Sequence, residues 1–66
     1  MMRITVNGKD HQTAARTVAA LLAELKIAPK GTAVALNGEV VPASQLAESR
    51  IPQDAKIEIV QAVQGG

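Results

Sequence analysis

Alternating polar and apolar residues open the chain and predict a β-hairpin. Ile4 and Val6 occupy alternate positions in residues 3–6, so both side chains point to one face of a strand. Asn7-Gly8 follows, and this pair is favoured in a two-residue type I′ turn. We therefore expect residues 9–13 to return as a polar antiparallel strand near an edge of the sheet.

A helix is predicted next, because the apolar spacing lengthens to three and four residues. Thr17 is a suitable N-cap, since its hydroxyl can accept from free amide groups of the first turn. The apolar residues behind it form one helical stripe: Val18, Leu21, Leu22 and Leu25. The helix should end near Lys26 or Ile27, because the residue before Pro29 is pushed out of helical geometry.

A second hairpin pattern occupies the middle of the chain. Residues 33–36 are predicted to form its first strand, and Asn37-Gly38 its turn. Residues 39–41 return as a short strand, which Pro42 ends because proline cannot donate to a ladder.

A closing strand completes the predicted fold. Residues 43–53 are expected to form a loop with one helical turn, followed by a strand at residues 56–61 with Ile57 and Ile59 facing the core. The order ββαββ, with the extra loop turn, predicts an α+β protein of the ubiquitin-like β-grasp class. In it, a mixed sheet wraps around one main helix and leaves its other face uncovered. We expect residues 1–61 to be the domain and residues 62–66 a flexible tail.

Composition narrows the possible functions. The chain has 66 residues, 47% of them hydrophobic and none aromatic, and no cysteine. A disulfide framework and a cysteine nucleophile are therefore excluded. The net charge of +1, without a basic stripe or aromatic stacking platforms, argues against nucleic acid. No apolar run approaches the roughly 20 residues of a membrane span, so we expect a soluble cytoplasmic protein without a membrane partner.

The terminal pair Gly65-Gly66 is the main candidate for chemistry. Glycine has no Cβ, so its backbone enters narrow clefts and its carbonyl is open to attack. A glycine carboxylate that an enzyme must reach would benefit from both properties. The competing interpretation is a frayed chain end without function.

Two longer motifs, one in the middle of the chain and one at its end, point to a known family. They are Leu-Asn-Gly-Glu-Val-Val-Pro at residues 36–42 and Ile-Glu-Ile-Val-Gln-Ala-Val-Gln-Gly-Gly at residues 57–66. Together with the opening hairpin they resemble the ThiS family of sulfur carriers over the full chain. The family often has Asp-Gly-Asp where this chain has Gln53-Asp54-Ala55, and here we expect a type I turn without positive φ.

The resemblance implies a carrier whose own carboxylate is the substrate. A ThiF-like E1 adenylating enzyme would use ATP-Mg to convert the Gly66 carboxylate into an acyl-adenylate. A persulfide sulfur donor would then leave a thiocarboxylate, which thiazole synthase (ThiG-like) uses for the thiazole ring of thiamin. Gly65 and Gln64 would give the tail clearance in a partner's active site, although Gln64 stands where a smaller residue is common. The carrier itself would bind no cofactor and no metal.

Catalytic machinery is not evident within the chain. His11 is the only histidine; beside Asp10 in a predicted strand, it is interpreted as a solvated residue. The acidic residues are dispersed, and none clusters at metal-ligand spacing. The chain is therefore expected to be a protein co-substrate and not an enzyme.

An exposed partner-binding patch follows from the strand pattern. If the isoleucines of the last strand face the helix, its intervening residues face outward beside the alanines of the neighbouring strand. The predicted patch consists of Val60, Ala62, Glu58, Ala33 and Ala35. Exposed apolar patches often mark interaction sites, although single outward apolar residues are ordinary.

Three alternatives remain open at this point. A MoaD-like carrier for molybdopterin synthesis, or a carrier for cysteine biosynthesis, would share the fold and the tail. A ubiquitin-like modifier would share the adenylation step but end in isopeptide conjugates. A ligand- or RNA-binding β-grasp module would make the terminal glycines incidental.

Overall fold

The computed structural model describes residues 1–61, which form a five-stranded sheet, one α-helix and a short 3-10 turn. The elements follow one another as β1 (Met2–Val6), β2 (Lys9–Thr13), α1 (Val18–Glu24), β3 (Thr32–Leu36), β4 (Glu39–Val41), the 3-10 turn (Ala43–Gln45) and β5 (Lys56–Gln61). The predicted tail, residues 62–66, lies outside the described residues. No helix within residues 1–61 is long and apolar enough to cross a membrane.

The sheet is mixed, with strand order β2-β1-β5-β3-β4. The two hairpins are antiparallel, and β5 joins them by pairing parallel to β1 and antiparallel to β3. The predicted α+β, β-grasp class is therefore confirmed. Strand β2 lies at one edge, as its polar sequence predicts.

The core lies between the helix and one face of the sheet. Its members are at most 8% exposed, and none is aromatic: Ile4, Ala15, Val18, Leu21, Leu22, Val34, Leu46, Ile51, Ala55, Ile57 and Ile59. Burial of one leucine or isoleucine side chain stabilises by about 1.5–3 kcal/mol. The predicted inward faces of the helix and of β5 are confirmed.

The helix begins where the sequence predicts but ends two residues earlier. Thr17 caps it, since its hydroxyl accepts from the Ala20 amide at 3.2 Å. At the other end, Lys26 adopts a left-handed conformation with φ +61°, which stops the helix before the downstream proline can act. The Lys26 and Ile27 amides then donate to carbonyls of the last turn, at 3.1 and 2.8 Å, in the pattern of a Schellman motif.

The turn before β5 differs from the expectation. The Ala55 amide donates to the Pro52 carbonyl at 3.2 Å, which closes a four-residue turn. Asp54, its third residue, has φ +61°, so the prediction of a type I turn without positive φ is wrong. A type II turn has this requirement at its third position, and aspartate tolerates it better than most residues.

Candidate functional site

Strand β5 is the last described element of the chain and ends at Gln61, just before residues 62–66. At its start it is held on both sides, because Ile57 is opposite Val6 of β1 and Leu36 of β3. The pairing with β1 ends there, whereas the pairing with β3 continues to Gln61. The last part of β5 therefore projects beyond β1 and has a strand partner on one side.

Two asparagine side chains hold β5 from the hairpin turns. The Ile59 amide donates to Asn7 Oδ1 at 2.8 Å, and Asn7 Nδ2 donates to the Ile59 carbonyl at 3.2 Å. The Lys56 amide donates to Asn37 Oδ1 at 2.8 Å. The Asn7 side chain thus continues the hydrogen bonding of β5 just where β1 has ended.

Sequence reasoning had assigned these asparagines to turn chemistry alone. That part is confirmed, because Asn7-Gly8 and Asn37-Gly38 both have positive φ at each central residue, as a type I′ turn requires. The contacts with β5 were missed. One feature of the sequence could have indicated these contacts. Aspartate or glycine would also satisfy the turn, but both turns carry asparagine, whose side-chain amide can donate and accept as a strand backbone does.

The outward face of β5 and β3 forms the predicted apolar surface. Val60 is 65% exposed and is opposite Ala33, which is also exposed. Glu58 is exposed and is opposite the half-buried Ala35. Of the predicted patch, Ala62 is the one member that lies outside the described residues.

Val40 of β4 belongs to the same surface and was missed. It is directly opposite Ala35 and is 75% exposed. A shallow concavity is lined by Val40, Ala33, Ala35, Glu58 and Val60. We call these five residues, which all precede the tail, the outer apolar patch. The sequence carried no signal for this, since alternation in the three-residue β4 does not decide whether Val40 or its two neighbours face the helix.

The rest of the outward face is polar. Across β2 and β1, Gln12 is opposite Arg3 and Asp10 is opposite Thr5, which is in turn opposite Lys56. Since these side chains share the face of Glu58 by strand alternation, the face divides into a polar half and an apolar half. The apolar half is the one next to the end of β5.

The sequence suggested that His11 is a solvated residue, but the structure also gives its side chain a specific contact. Its ring is half-buried on the helix side of β2, and Nε2 lies 2.9 Å from Glu24 Oε2. Thr13 Oγ1 donates to the other carboxylate oxygen of Glu24 at 2.8 Å. These hydrogen bonds lower the pKa of Glu24 below its ordinary value, and the bond with His11 has a larger effect than the bond from Thr13. The contacts connect the edge strand to the last turn of the helix.

Within residues 1–61 there is no group of histidine and acidic side chains that could hold a metal ion. The remaining predicted site residues, Gln64, Gly65 and Gly66, lie outside the described residues.

A model of the ThiS family matches residues 4–66, which includes the terminal glycine pair. The chain belongs to the ThiS family.

Solved structures and a curated relative agree with this assignment. The crystal structure of the thiamine biosynthesis protein ThiS from Geobacter metallireducens superposes with a TM-score of 0.83 at 30% identity, covering 98% of this chain and 100% of that one. A solution structure of a thiamine biosynthesis protein from the same organism gives 0.80 at 30% identity, covering 98% and 88%. The thiazole synthase of Paramagnetospirillum magneticum is 38% identical over 66 residues. The chain covers 20% of that protein's length.

Proposed function

We propose that this ThiS-family sulfur carrier works through a thiocarboxylate on Gly66 that supplies the sulfur of the thiamin thiazole ring. The observation that carries the proposal is that the family match extends through residue 66 and so includes the glycine pair. The support from the fold is the position of β5, which is a central strand and ends five residues before Gly66. The chain is then a protein co-substrate, consistent with a family of small sulfur carriers.

The chemistry begins with activation, because a carboxylate has no good leaving group. A carboxylate oxygen of Gly66 attacks the α-phosphorus of ATP, held with Mg²⁺ by a ThiF-like enzyme, and pyrophosphate leaves. The terminal sulfur of a persulfide donor then attacks the acyl carbon and displaces AMP, which forms an acyl disulfide. A second thiol reduces the sulfur–sulfur bond and releases the thiocarboxylate. Gly66 adds no side chain at the reacting carbon, and Gly65 and Gln64 give the tail clearance in the active site of the enzyme.

Intact mass spectrometry tests this step. The chain is incubated with ATP-Mg, a ThiF-like enzyme and a persulfide donor with a thiol reductant. The expected product is heavier by the difference between one sulfur and one oxygen, and a chain lacking Gly66 should show no shift. If an enzyme that activates a Geobacter ThiS under the same conditions leaves this chain unmodified, the thiocarboxylate proposal is refuted.

The outer apolar patch is the surface that we propose the adenylating enzyme contacts. It lies beside the end of β5, so a protein bound there is next to the tail. Val60→Glu or Val40→Glu would place a charge in that contact, and we expect the KM for the carrier to rise about tenfold, which corresponds to about 1.4 kcal/mol. Gln12→Glu is the matched control, because it adds the same charge to the polar half of the same face. Equal kinetics for all three variants would remove the patch from the interface.

Thiazole synthase is the proposed acceptor of the sulfur. The curated relative named thiazole synthase contains a segment like this chain, and the similar solved structures are named for thiamine biosynthesis. These names favour thiamin over molybdopterin. Incubation of the thiocarboxylate form with thiazole synthase should consume it, whereas transfer only to a molybdopterin precursor would favour the MoaD-like alternative. Isopeptide-linked ladders on a denaturing gel would instead indicate a modifier.

A further inference from the structure

All three arginines of the chain line one concavity, although they come from three distant segments. Arg3 lies in β1, Arg16 lies between β2 and the helix, and Arg50 lies between the 3-10 turn and β5. The backbone holds the last two segments together, since the Ile51 amide donates to the Arg16 carbonyl at 2.9 Å. The concavity has a volume of about 650 Å³. Folding therefore gathers the guanidinium groups at one end of the molecule.

The four lysines lie outside this concavity: Lys9, Lys26, Lys30 and Lys56. The separation matters because guanidinium presents a planar fork of donors that fits a carboxylate with two hydrogen bonds, whereas ammonium is a compact point charge. Among residues 1–61 the recorded ion pair is that of His11 with Glu24, so none of the arginines is paired there. Asp10 and Asp54 line an adjoining smaller concavity together with Arg3.

The exposure of the arginines indicates the kind of ligand. All three arginines are solvent-exposed, and the neighbouring lining is Met1, Met2, Thr13, Ala14, Ala15, Ile51 and Gln53. Small-molecule sites are mostly apolar and enclose most of their ligand. A polypeptide bearing several carboxylates can contact all three at once.

We propose that the arginine end, defined by Arg3, Arg16 and Arg50, is a docking surface for an acidic segment of a partner protein. It lies away from Gln61, the last residue of β5. Arg3 lies two strand positions before Thr5, which is opposite Lys56, and Gln61 lies five positions after Lys56. At about 3.3 Å for each position, the level of Arg3 is roughly 23 Å from Gln61. A partner segment bound there leaves the outer apolar patch accessible. The proposal therefore does not rest on the tail chemistry.

Nuclear magnetic resonance titration of the ¹⁵N-labelled full chain tests the proposal, with an acetylated hexaglutamate peptide at low salt as the probe. We expect the largest shifts at the amides of Arg3, Arg16, Ile51 and Gln53. The triple variant R3Q/R16Q/R50Q should bind about tenfold more weakly, as expected for the loss of three exposed ion pairs. The matched control K9Q/K30Q/K56Q loses the same charge, and its affinity should stay within about twofold of the parent chain.

Two further arms make the outcome decisive. The variant R3K/R16K/R50K keeps the charge but loses the planar fork, so its affinity should fall between those of the parent and the glutamine variant. It also replaces the glutamine variant if the latter does not give the spectrum of a folded chain. Equal weakening in the lysine control, or shifts centred on the lysines, would overturn the proposal. So would inorganic phosphate binding the same amides as tightly as the peptide.

Discussion

Replacing Asn7 with glycine isolates the side-chain contact that holds the end of β5. Asn7 has φ +53°, a conformation that glycine adopts freely, so the hairpin turn should survive the change. What is lost is the pair of hydrogen bonds with the Ile59 backbone, at 2.8 and 3.2 Å. The backbone bond from the Asn7 amide to the Ile57 carbonyl, at 2.9 Å, remains possible.

The magnitude follows from the number and the burial of these bonds. A protein hydrogen bond contributes about 0.5–1.5 kcal/mol net, so two contribute about 2 kcal/mol. Asn37→Gly is the matched control, because it makes the same substitution in the same turn type but removes one exposed bond, to the Lys56 amide. The entropic effect of glycine on the unfolded chain is common to both variants and cancels in the comparison. Asn7→Gly should therefore be less stable than Asn37→Gly by about 1 kcal/mol.

Thermal unfolding and amide hydrogen exchange measure the two consequences. For a domain of this size, 1 kcal/mol corresponds to about 4–8 °C in Tm, so the two variants should be separable in one experiment. Exchange of the Ile59 amide should accelerate in Asn7→Gly and stay unchanged in Asn37→Gly. Equal Tm losses, or an Ile59 amide as protected as in the parent chain, would refute the reasoning that Asn7 substitutes for β1 at the end of β5.

Three other changes test the helix contacts, the turn before β5 and the core. Because the pKa of Glu24 is lowered by hydrogen bonds from His11 and Thr13, its contribution is present above the ordinary carboxyl pKa and is lost as pH falls through the lowered value. Glu24→Gln should flatten that acid limb in a series of Tm values against pH. Asp54→Val should lower stability by about 1–2 kcal/mol, since a β-branched residue is strained at φ +61°, whereas Asp54→Gly should match the parent in denaturant unfolding. Leu21→Ala should cost about 2–5 kcal/mol and leave little folded protein by circular dichroism, because a core of this size supplies only about 3–5 kcal/mol.

The strands and the core were predictable because each depends on a local sequence pattern that is compatible with a single arrangement of the residues. Alternation assigns Ile57 and Ile59 to the helix side, and a shift of one residue would expose both. The Asn-Gly pairs assign the hairpins for a similar reason, since few residues tolerate positive φ at two successive positions. The outward placement of Val60 then follows without knowledge of the strand order.

The missed features depend on which segments become neighbours. Asn7 contacts Ile59 across 52 positions of sequence, and no local pattern encodes that approach. Val40 joins the outer apolar patch only because β3 lies between β4 and β5. His11 contacts Glu24 because the last turn of the helix lies near the inner face of β2, which is an edge strand. The left-handed residues Lys26 and Asp54 were missed for a different reason, because hydrogen bonds of the surrounding turns impose a conformation their side chains do not favour.

The geometry restricts how one partner could use both proposed surfaces. Five residues separate Gln61 from the Gly66 carboxylate, and a chain of that length reaches at most about 17 Å. The arginine end lies roughly 23 Å of strand from Gln61, measured back along β5 and β1. If the tail continues the direction of β5, a partner that holds the carboxylate in its active site must span most of the carrier to contact the arginine end as well. Simultaneous contact therefore predicts that R3Q/R16Q/R50Q raises the KM of the adenylating enzyme for the carrier without changing kcat. Separate partners instead predict unchanged activation kinetics and a loss confined to the binding of acidic segments.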